Sequence, residues 1–440
     1  MLPARRLYQL LLLGTAIGVA IALFDTGNVL LLQGAIALTL SYDAILLGLA
    51  GVDAQGVRSR RIQVERSVAQ KLSIGRENLV HLAISTGDRP SQVQIRDHAP
   101  DAFRLSQPLL KLQIPAHSQE SVSYTVFPFE RGQYPWGDLY IRQLGAWGLG
   151  WHQWRIPQAT TVSVYPDLLG LKELSIRLAI QTTGSIRKVR RMGMGTEFTE
   201  LRDYYTGDDP RLIDWKATAR RSRLLVRVLE PEQEQTMIVL LDRGRLMTAQ
   251  VEGISRFNWG MNATLALALA GLNRGDRVGV GVFDREMTVW VPPERGQTHL
   301  NRLIERLTPI QPAMLEPDYL SAVTTATTQQ HRRALVVVLT DLVDEIASAE
   351  LLAALQRLRP RYLPFCVTLR DPQIDAIAHT SAHDMTPAYE RAVALDLLNQ
   401  RARALARLKR QGVLVLDAPA NQISNALVDR YLQVKARNLL

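Results

Sequence analysis

Between Leu7 and Val52 polar side chains are rare. Leu7 to Phe24 is predominantly apolar throughout, and Val29 to Val52 repeats the pattern, broken chiefly by Gln33, Ser41, Tyr42 and Asp43. A helix of roughly 20 apolar residues crosses the hydrocarbon core of a bilayer, so each run predicts a membrane span, the first near the lower length limit. Asp25-Thr26-Gly27-Asn28 forms a polar turn between them with no positive charge. Arg5 and Arg6 precede the pair, and Arg58, Arg60 and Arg61 follow it. Positive residues favour the cytoplasmic side, which predicts a hairpin (1–57) in the inner, cytoplasmic membrane with both termini and all soluble parts in the cytoplasm. A cleaved signal peptide is the rival reading, opposed by the second span and the lack of a small-x-small site in the turn. A buried helical hairpin of a soluble core would show a polar stripe that these runs lack. Asp43 is expected where the second helix leaves the bilayer or beside a polar neighbour, with an ion path as the alternative.

From 58 to 166 the pattern changes to short alternating runs. Val80, Leu82 and Ile84 fall on one face of a strand, as do Val93 with Ile95 and Val122, Tyr124 with Val126. Turn-forming clusters at Ser85 to Pro90 and His98 to Asp101 separate them, which predicts a β-sandwich-like domain. Trp136, Trp147, Trp151 and Trp154 cluster near its end. Their size favours core and inter-domain packing; the alternative is a stacking platform for bases or sugars.

The C-terminal half alternates differently. Thr236 to Asp242 and Ala334 to Asp341 are nearly continuous apolar runs ending in a carboxylate, as expected of parallel strands covered on both faces. Further strands are expected at Arg277 to Phe283, Tyr362 to Leu369 and Gly412 to Asp417. Ile254, Phe257, Met261, Leu265, Leu269 and Leu272 recur at helical spacing, and helices are also expected at Thr386 to Arg410 and Gln422 to Arg437. Strand and helix alternate over 236–440, predicting a doubly wound α/β domain. Ligands of such sheets bind beyond the carboxyl ends of the strands, which makes Asp242 and Asp341 a candidate site; an Asp that merely opens a turn is the alternative.

The intervening stretch, 167–235, is predicted to hold a linker helix, the basic loop Arg187-Lys188-Val189-Arg190-Arg191 and a densely charged strip. Within 24 positions the strip contains Glu197, Arg202, Asp203, Asp208, Asp209, Arg211, Asp214, Lys216 and Arg220, with Tyr204, Tyr205 and Trp215 between them. Such density implies an ion-pair lattice in which guanidinium forks grip carboxylates, with Arg211, Lys216 and Arg220 the nearest cations to Asp208, Asp209 and Asp214. The order Gly195-Thr196-Glu197-Phe198, Leu201-Arg202, Tyr204, Gly207-Asp208-Asp209, Arg211, Ile213-Asp214-Trp215, Ala219-Arg220 resembles the signature of the family called domain of unknown function 58. Arg131-Gly132-Gln133-Tyr134 and Trp147-Gly148-Leu149 are similar to motifs closing that family's β segment. The resemblance covers the whole chain. It implies a transmembrane hairpin, a β-rich segment and a von Willebrand factor A-like domain. It also implies a working association with MoxR-type AAA ATPases and with transglutaminase-like membrane proteins.

An intact metal-ion-dependent adhesion site of the von Willebrand type needs D-x-S-x-S, a threonine and a later aspartate, oxygen donors suited to Mg²⁺. Here Gly244 and Leu246 stand where the serines would be, and Thr298 is only a loose candidate for the threonine. Asp242, Gly244, Leu246 and Asp341 therefore read as a degenerate site with no cofactor, or at best weak Mg²⁺ binding. Arg243 and Arg245 lie in the same loop, and either is expected to place a fixed cation beside Asp242 and Asp341, with solvent the alternative direction.

Charge and composition narrow the function. The net charge of +10 over 440 residues suits anionic lipid or an acidic partner. A nucleic-acid partner is disfavoured because no recognised nucleic-acid module accompanies the charge. The basic loop at 187–191 is a candidate lipid contact. The lone Cys366 lies in an apolar run, excluding a disulfide framework and pointing to an inert thiol. His379 and His383 have zinc-ligand spacing, but Thr380 stands where a metalloprotease needs glutamate. There is no P-loop and no GxSxG elbow. The expectation is a non-enzymatic, membrane-tethered adaptor acting with a MoxR-type ATPase in assembly or maturation of other proteins. Two alternatives stay open: a ligand-binding domain with a residual divalent-metal site, and a hydrolase using the strip's carboxylates.

Overall fold

The computed structural model describes residues 2–24, 29–185, 197–230, 235–342, 349–359, 361–380 and 384–437. The chain divides into two units, Met1–Tyr165 and Pro166–Leu440.

The first unit opens with a two-residue strand β1 (Leu2–Pro3) and the helices α1 (Arg5–Phe24) and α2 (Val29–Gly56). The predicted turn at 25–28 lies outside the described residues. Gly14 and Gly18 sit on the seam between the helices, where an added Cβ would collide with Tyr42 and Thr39 respectively. Small residues four apart let two helices approach closely when no hydrophobic effect drives them together. Away from the seam the side chains face outward; Leu12 and Leu30 are 69% and 79% exposed. Both helices are long and apolar enough to cross a membrane. Asp43 lies within α2, which continues to Gly56, and its Oδ1 is buried with no hydrogen-bond partner among the described residues. The expected polar neighbour is not there for that oxygen.

Eleven further strands follow: β2 (Gln63–Val68), β3 (Lys71–Ser73), β4 (Asn78–Ser85), β5 (Ser91–Asp97), β6 (Phe103–Leu105), β7 (Leu110–Ile114), β8 (Gln119–Pro128), β9 (Gly132–Trp136), β10 (Leu139–Leu144), β11 (Gly150–Ile156) and β12 (Thr160–Tyr165). They form sheets ordered β1-β11-β10-β5-β7, β2-β4-β8-β6 and β3-β12-β9. The third sheet goes beyond a simple two-sheet sandwich. Alternation in β4 does what its pattern predicts, burying Asn78, Val80, Leu82 and Ile84 and exposing the residues between. The core is tied by Asp97, which accepts hydrogen bonds from Arg66 Nη1 at 2.7 Å, Tyr124 OH at 2.6 Å and Trp136 Nε1 at 2.9 Å. Of the four clustered tryptophans Trp136 is core, but Trp147 is 53% exposed, which corrects the packing reading for that residue. Trp154 lies beneath Arg61 and stacks on His152.

Asp53, buried near the end of α2, accepts hydrogen bonds from the backbone N–H groups of Trp147 and Leu149 at 2.9 Å and Gly150 at 3.3 Å. The Trp147-Gly148-Leu149 motif is therefore the turn by which the β domain holds the hairpin. Gly148 adopts φ +73° there, a conformation that glycine tolerates best.

The second unit contains α3 (Leu168–Ser185), β13 (Glu197–Asp203), α4 (Trp215–Arg221), β14 (Leu225–Glu230), β15 (Thr236–Asp242), the short strands β16 (Gln250–Val251) and β17 (Ile254–Ser255), α5 (Arg256–Asn273), β18 (Arg277–Phe283), β19 (Met287–Glu294), α6 (Gln297–Leu307), α7 (Tyr319–Gln329), β20 (Leu335–Thr340), α8 (Ala349–Arg357), β21 (Leu363–Arg370), α9 (Pro372–His379), α10 (Met385–Arg410), β22 (Leu414–Pro419) and α11 (Ile423–Ala436). The main sheet runs β19-β18-β15-β20-β21-β22, parallel except for β19, which pairs antiparallel with β18. The sequence pattern does not reveal β19, whose Pro292 and Pro293 cannot donate to a ladder and suit only an edge.

The continuous apolar strands are explained by two helix layers. Met237, Val239 and Leu241 pack with α3, α5, α6 and α11, whereas Ile238 and Leu240 pack with α7, α8 and α10. Successive strand side chains point to opposite faces, so a strand covered on both sides must be apolar at every position. This is the doubly wound architecture read from the runs.

Candidate functional site

The chain passes from β15 to β18 on one side and later to β20 on the other, so the order of connection reverses between β15 and β20. Such a point opens a crevice beyond the carboxyl ends of the strands. Asp242 ends β15, and Asp341 follows Thr340 at the end of β20. Both carboxylates are buried, at 0% and 4% exposure, and Thr340, the residue before Asp341, bonds the Asp242 carboxylate. Its hydroxyl donates to Asp242 Oδ2 at 2.6 Å, and Tyr319 OH lies 3.3 Å from the same oxygen and 2.9 Å from Thr340 Oγ1. Asp242 Oδ1 accepts from the Gly244 N–H at 2.7 Å. Burial pushes Asp242 up to about 6, although the bonds from Thr340, Gly244 and Tyr319 pull the other way. Burial, and then the Asp242 charge, raises Tyr319 well above the usual phenol range.

Asp341 is gripped by two arginines. Arg401 Nη1, from α10, donates to its Oδ1 at 2.8 Å, and Arg256 Nη1, from the first position of α5, is paired with its Oδ2. Arg401 also reaches Asp417 Oδ1 through Nη2 at 2.8 Å and the Leu342 carbonyl. Asp417 in turn accepts from Thr368 at 2.8 Å. Burial works against the Arg401 charge, but Asp341 and Asp417 hold its pKa above the ordinary value.

The expectation that Arg243 or Arg245 places a cation beside both carboxylates is corrected: Asp341 is met by Arg256 and Arg401, and the Asp242 carboxylate accepts from neutral donors. Arg243 turns to Asp284 at 2.7 Å and Arg245 to the exposed Glu316 at 2.6 Å. Burial opposes ionisation of Asp284, yet the Arg243 bond holds it below the usual carboxylate range. Thr298 is also misplaced as a ligand. It is exposed in the first turn of α6, next to His299, whose Nε2 contacts the Val278 carbonyl at 2.7 Å. Val278 pairs with Met237, at the end of β15 opposite Asp242.

The donor set does not fit a divalent ion. A Cβ on Gly244 would stand 2.8 Å from the Leu315 carbonyl and 3.0 Å from Asp242 Oδ1, so no serine can be presented there without opening the loop. Leu246 supplies no oxygen, and both carboxylates already hold protein donors. Among the described residues no group of three or more His, Cys, Asp or Glu side chains is placed to hold a metal.

The charged strip is a hairpin of β13 and β14, with Asp203 opposite Leu225; Gly195 and Thr196 lie outside the described residues. Glu197 opens β13. Gly207, at φ +111°, makes the turn that brings Asp208 back to Arg202. Arg202 donates two bonds to Asp208, at 2.8 and 2.6 Å, and Asp208 also accepts from the Tyr205 N–H at 2.9 Å. Asp209 accepts from the Arg211 N–H at 2.9 Å. Asp214 caps α4 through the Ala217 N–H and accepts from Arg227 Nε, both at 2.9 Å. Arg223 pairs with Asp203 at 3.1 Å. The side chains of Arg211, Lys216 and Arg220 are exposed instead, so the predicted lattice forms with different cations. The Arg202 bond holds Asp208 below its ordinary range, and the Ala217 N–H followed by Arg227 does the same for Asp214. Tyr204 is half-buried, its N–H bonded to the Leu224 carbonyl at 3.0 Å, whereas Tyr205 and Trp215 are exposed.

Cys366 is fully buried in β21, and burial raises its thiol to about 12. α9 ends at His379, and His383 lies outside the described residues, as does the basic loop 187–191. Arg131 of the first motif is buried, which lowers its pKa to about 10.

Residues 200–411 match the family model described as protein of unknown function DUF58, the family that the strip resembles. An uncharacterized protein of Mycobacterium tuberculosis is 23% identical over 183 residues, 41% of this chain and 57% of the relative. The chain thus spans little more than half the length of that relative. Among solved structures, the conserved hypothetical protein BatB of Bacteroides thetaiotaomicron is 15% identical over 46% of this chain and 99% of its own, with a TM-score of 0.31. The von Willebrand factor A domain of SpRpn10 is 10% identical over 44% of this chain and 93% of its own, with a TM-score of 0.28.

Proposed function

We propose, starting from this family match, that the chain is a membrane-tethered, non-enzymatic interaction module that docks a cytoplasmic protein without a bound metal. The observation that carries this reading is how the strip divides its side chains. Asp208 and Asp214 are bonded inward, whereas Tyr205 and Trp215 remain 68% and 67% exposed. Carboxylates held ionised by arginine make poor general acids at neutral pH. Exposed Trp and Tyr beside arginine are the residue types that dominate the energetics of protein interfaces.

The carboxyl end of the sheet supports the same reading. Arg256 and Arg401 bring to Asp341 the positive charge that a divalent ion would otherwise supply, so the loops need no metal to hold their arrangement. The outward-facing apolar side chains of α1 and α2 support anchoring in a bilayer, and the flanking arginines support a cytoplasmic location for the rest. The family resemblance points to a MoxR-type AAA ATPase as the partner and to assembly or maturation of other proteins as the task. A transglutaminase-like membrane protein is a further candidate member of that assembly.

The test is a pull-down from native membranes with the intact chain and a Tyr205→Ala, Trp215→Ala variant of unchanged circular dichroism. Recovery of an ATPase by the intact chain and its loss with the variant is the expected result. Equal recovery by both would remove the strip as the interface and move the search to the Asp242–Asp341 face. The hydrolase alternative predicts turnover that Asp214→Asn abolishes in a folded protein. The metal alternative predicts a rise in melting temperature with millimolar Mg²⁺.

A further inference from the structure

Within the first unit a half-open cavity of about 490 Å³ lies between the start of α1 and the β domain. Its wall contains Arg5 and Arg6 from the first turn of α1, Lys111 from β7, Gln92 and Gln94 from β5, and Trp151 from β11. No carboxylate lines it. Among the described residues none of the three cations has an acidic side chain within salt-bridge reach. Arg66, by contrast, pairs with Asp97, and Arg155 with Asp138. Asp53, a buried acid beside the lining residue Gly145, is already taken by three backbone N–H groups.

The cations are brought together by the fold. β1 pairs with β11, Leu2 opposite Trp151 and Pro3 opposite Gly150, and the Ala4 N–H bonds the Leu149 carbonyl at 3.0 Å. This holds the chain against the sheet edge immediately before Arg5. The Arg6 side chain lies along Gly148, where an added Cβ would come within 3.3 Å of its Cδ and Nη1. Lys111 stands opposite Gln94 in the β5–β7 register. Positive charge is felt close by: burial, and then Arg61 and Arg58, hold His152 below the usual imidazole range.

We propose that this cavity holds the phosphate of an anionic phospholipid from the bilayer that the hairpin spans. The inference rests on the membrane reading of the hairpin. The apolar run of α1 begins at Leu7, which sets Arg5 and Arg6 at headgroup depth, where tryptophan is also favoured. Three unpaired cations attract an anionic headgroup, and the Gln92 and Gln94 amides supply donors to phosphate oxygens. The volume falls within the range of small-molecule sites, so it accommodates a phosphoglycerol headgroup while the acyl chains remain beside α1. Lys111 is the informative residue, because it belongs to β7 of the β domain and not to the hairpin.

The experiment titrates the full-length chain in mild detergent with phosphatidylglycerol, phosphatidylcholine or inorganic phosphate and counts adducts by native mass spectrometry. One phosphatidylglycerol should be retained at least tenfold more tightly than phosphatidylcholine. Lys111→Glu and Lys111→Gln, each checked for folding by circular dichroism, should weaken it about tenfold and about threefold respectively. Equal retention of the two lipids, or retention unaffected by both variants, would overturn the proposal. Displacement of the lipid by an equal concentration of inorganic phosphate would overturn it in favour of a free-anion site. Alkaline carbonate extraction of native membranes separates the two levels of inference. A chain released by carbonate sinks the anchor itself, whereas a retained chain without lipid selectivity sinks only the headgroup site.

Discussion

Arg401 Nη1 meets Asp341 Oδ1 at 2.8 Å across sixty positions of sequence, and both side chains are almost fully buried. A buried ion pair is a weak source of net stability, because two charges must be desolvated, but removing one partner strands the other. Arg401→Met should therefore destabilise the second unit by roughly 3–5 kcal/mol, less whatever Arg256 recovers by tightening on Asp341. Urea unfolding of the full chain would measure it, and a midpoint unchanged by Arg401→Met would show that the pair is solvated.

Asp242 should behave in the opposite sense. Its folded pKa is raised to about 6, above the ~3.9 of an unfolded aspartate, so the folded state binds the extra proton between those values. Stability from this group is complete below about pH 4 and is lost as pH rises through about 6, on the order of 3 kcal/mol at most. Asp242→Asn should remove that slope and raise the melting temperature at pH 7. A variant less stable than the parent at neutral pH would mean that Thr340 and Tyr319 require the ionised carboxylate.

Gly244→Ser tests whether the loop is merely short of an oxygen or closed against one. Because a Cβ there meets the Leu315 carbonyl at 2.8 Å, the substitution should destabilise the protein by roughly 1–3 kcal/mol and should produce no Mg²⁺-dependent rise in melting temperature. A stable variant whose melting temperature climbs with Mg²⁺ would contradict the closed-loop description.

The strip should loosen in acid before the sheet does. Asp208 and Asp214 have depressed pKa values, so their contribution is present above the unfolded value near ~3.9 and is lost as pH falls below it. Hydrogen exchange should show the Tyr205 and Ala217 amides, donors to those carboxylates, losing protection below about pH 4 while the β15 amides stay protected. Simultaneous loss in both places would make the strip part of the same cooperative unit.

What the sequence determined was whatever depends on periodicity and short range. Thr236–Asp242 reads as a two-face-buried strand because every position from Met237 to Leu241 is apolar, and both helix layers indeed lie against it. α10 begins within one residue of the predicted start, and the two predicted apolar runs form the hairpin helices α1 and α2. The carboxylates at the strand ends were legible because chain order places them at the switch point. The tertiary structure alone decided which cations meet them. Arg243 adjoins Asp242 in sequence yet reaches Asp284, whereas Arg256 and Arg401 arrive at Asp341 from α5 and α10. A guanidinium sits on a long, flexible stem and carries no periodic signal, so its partner is fixed only when helices from both sides of the sheet converge on one loop.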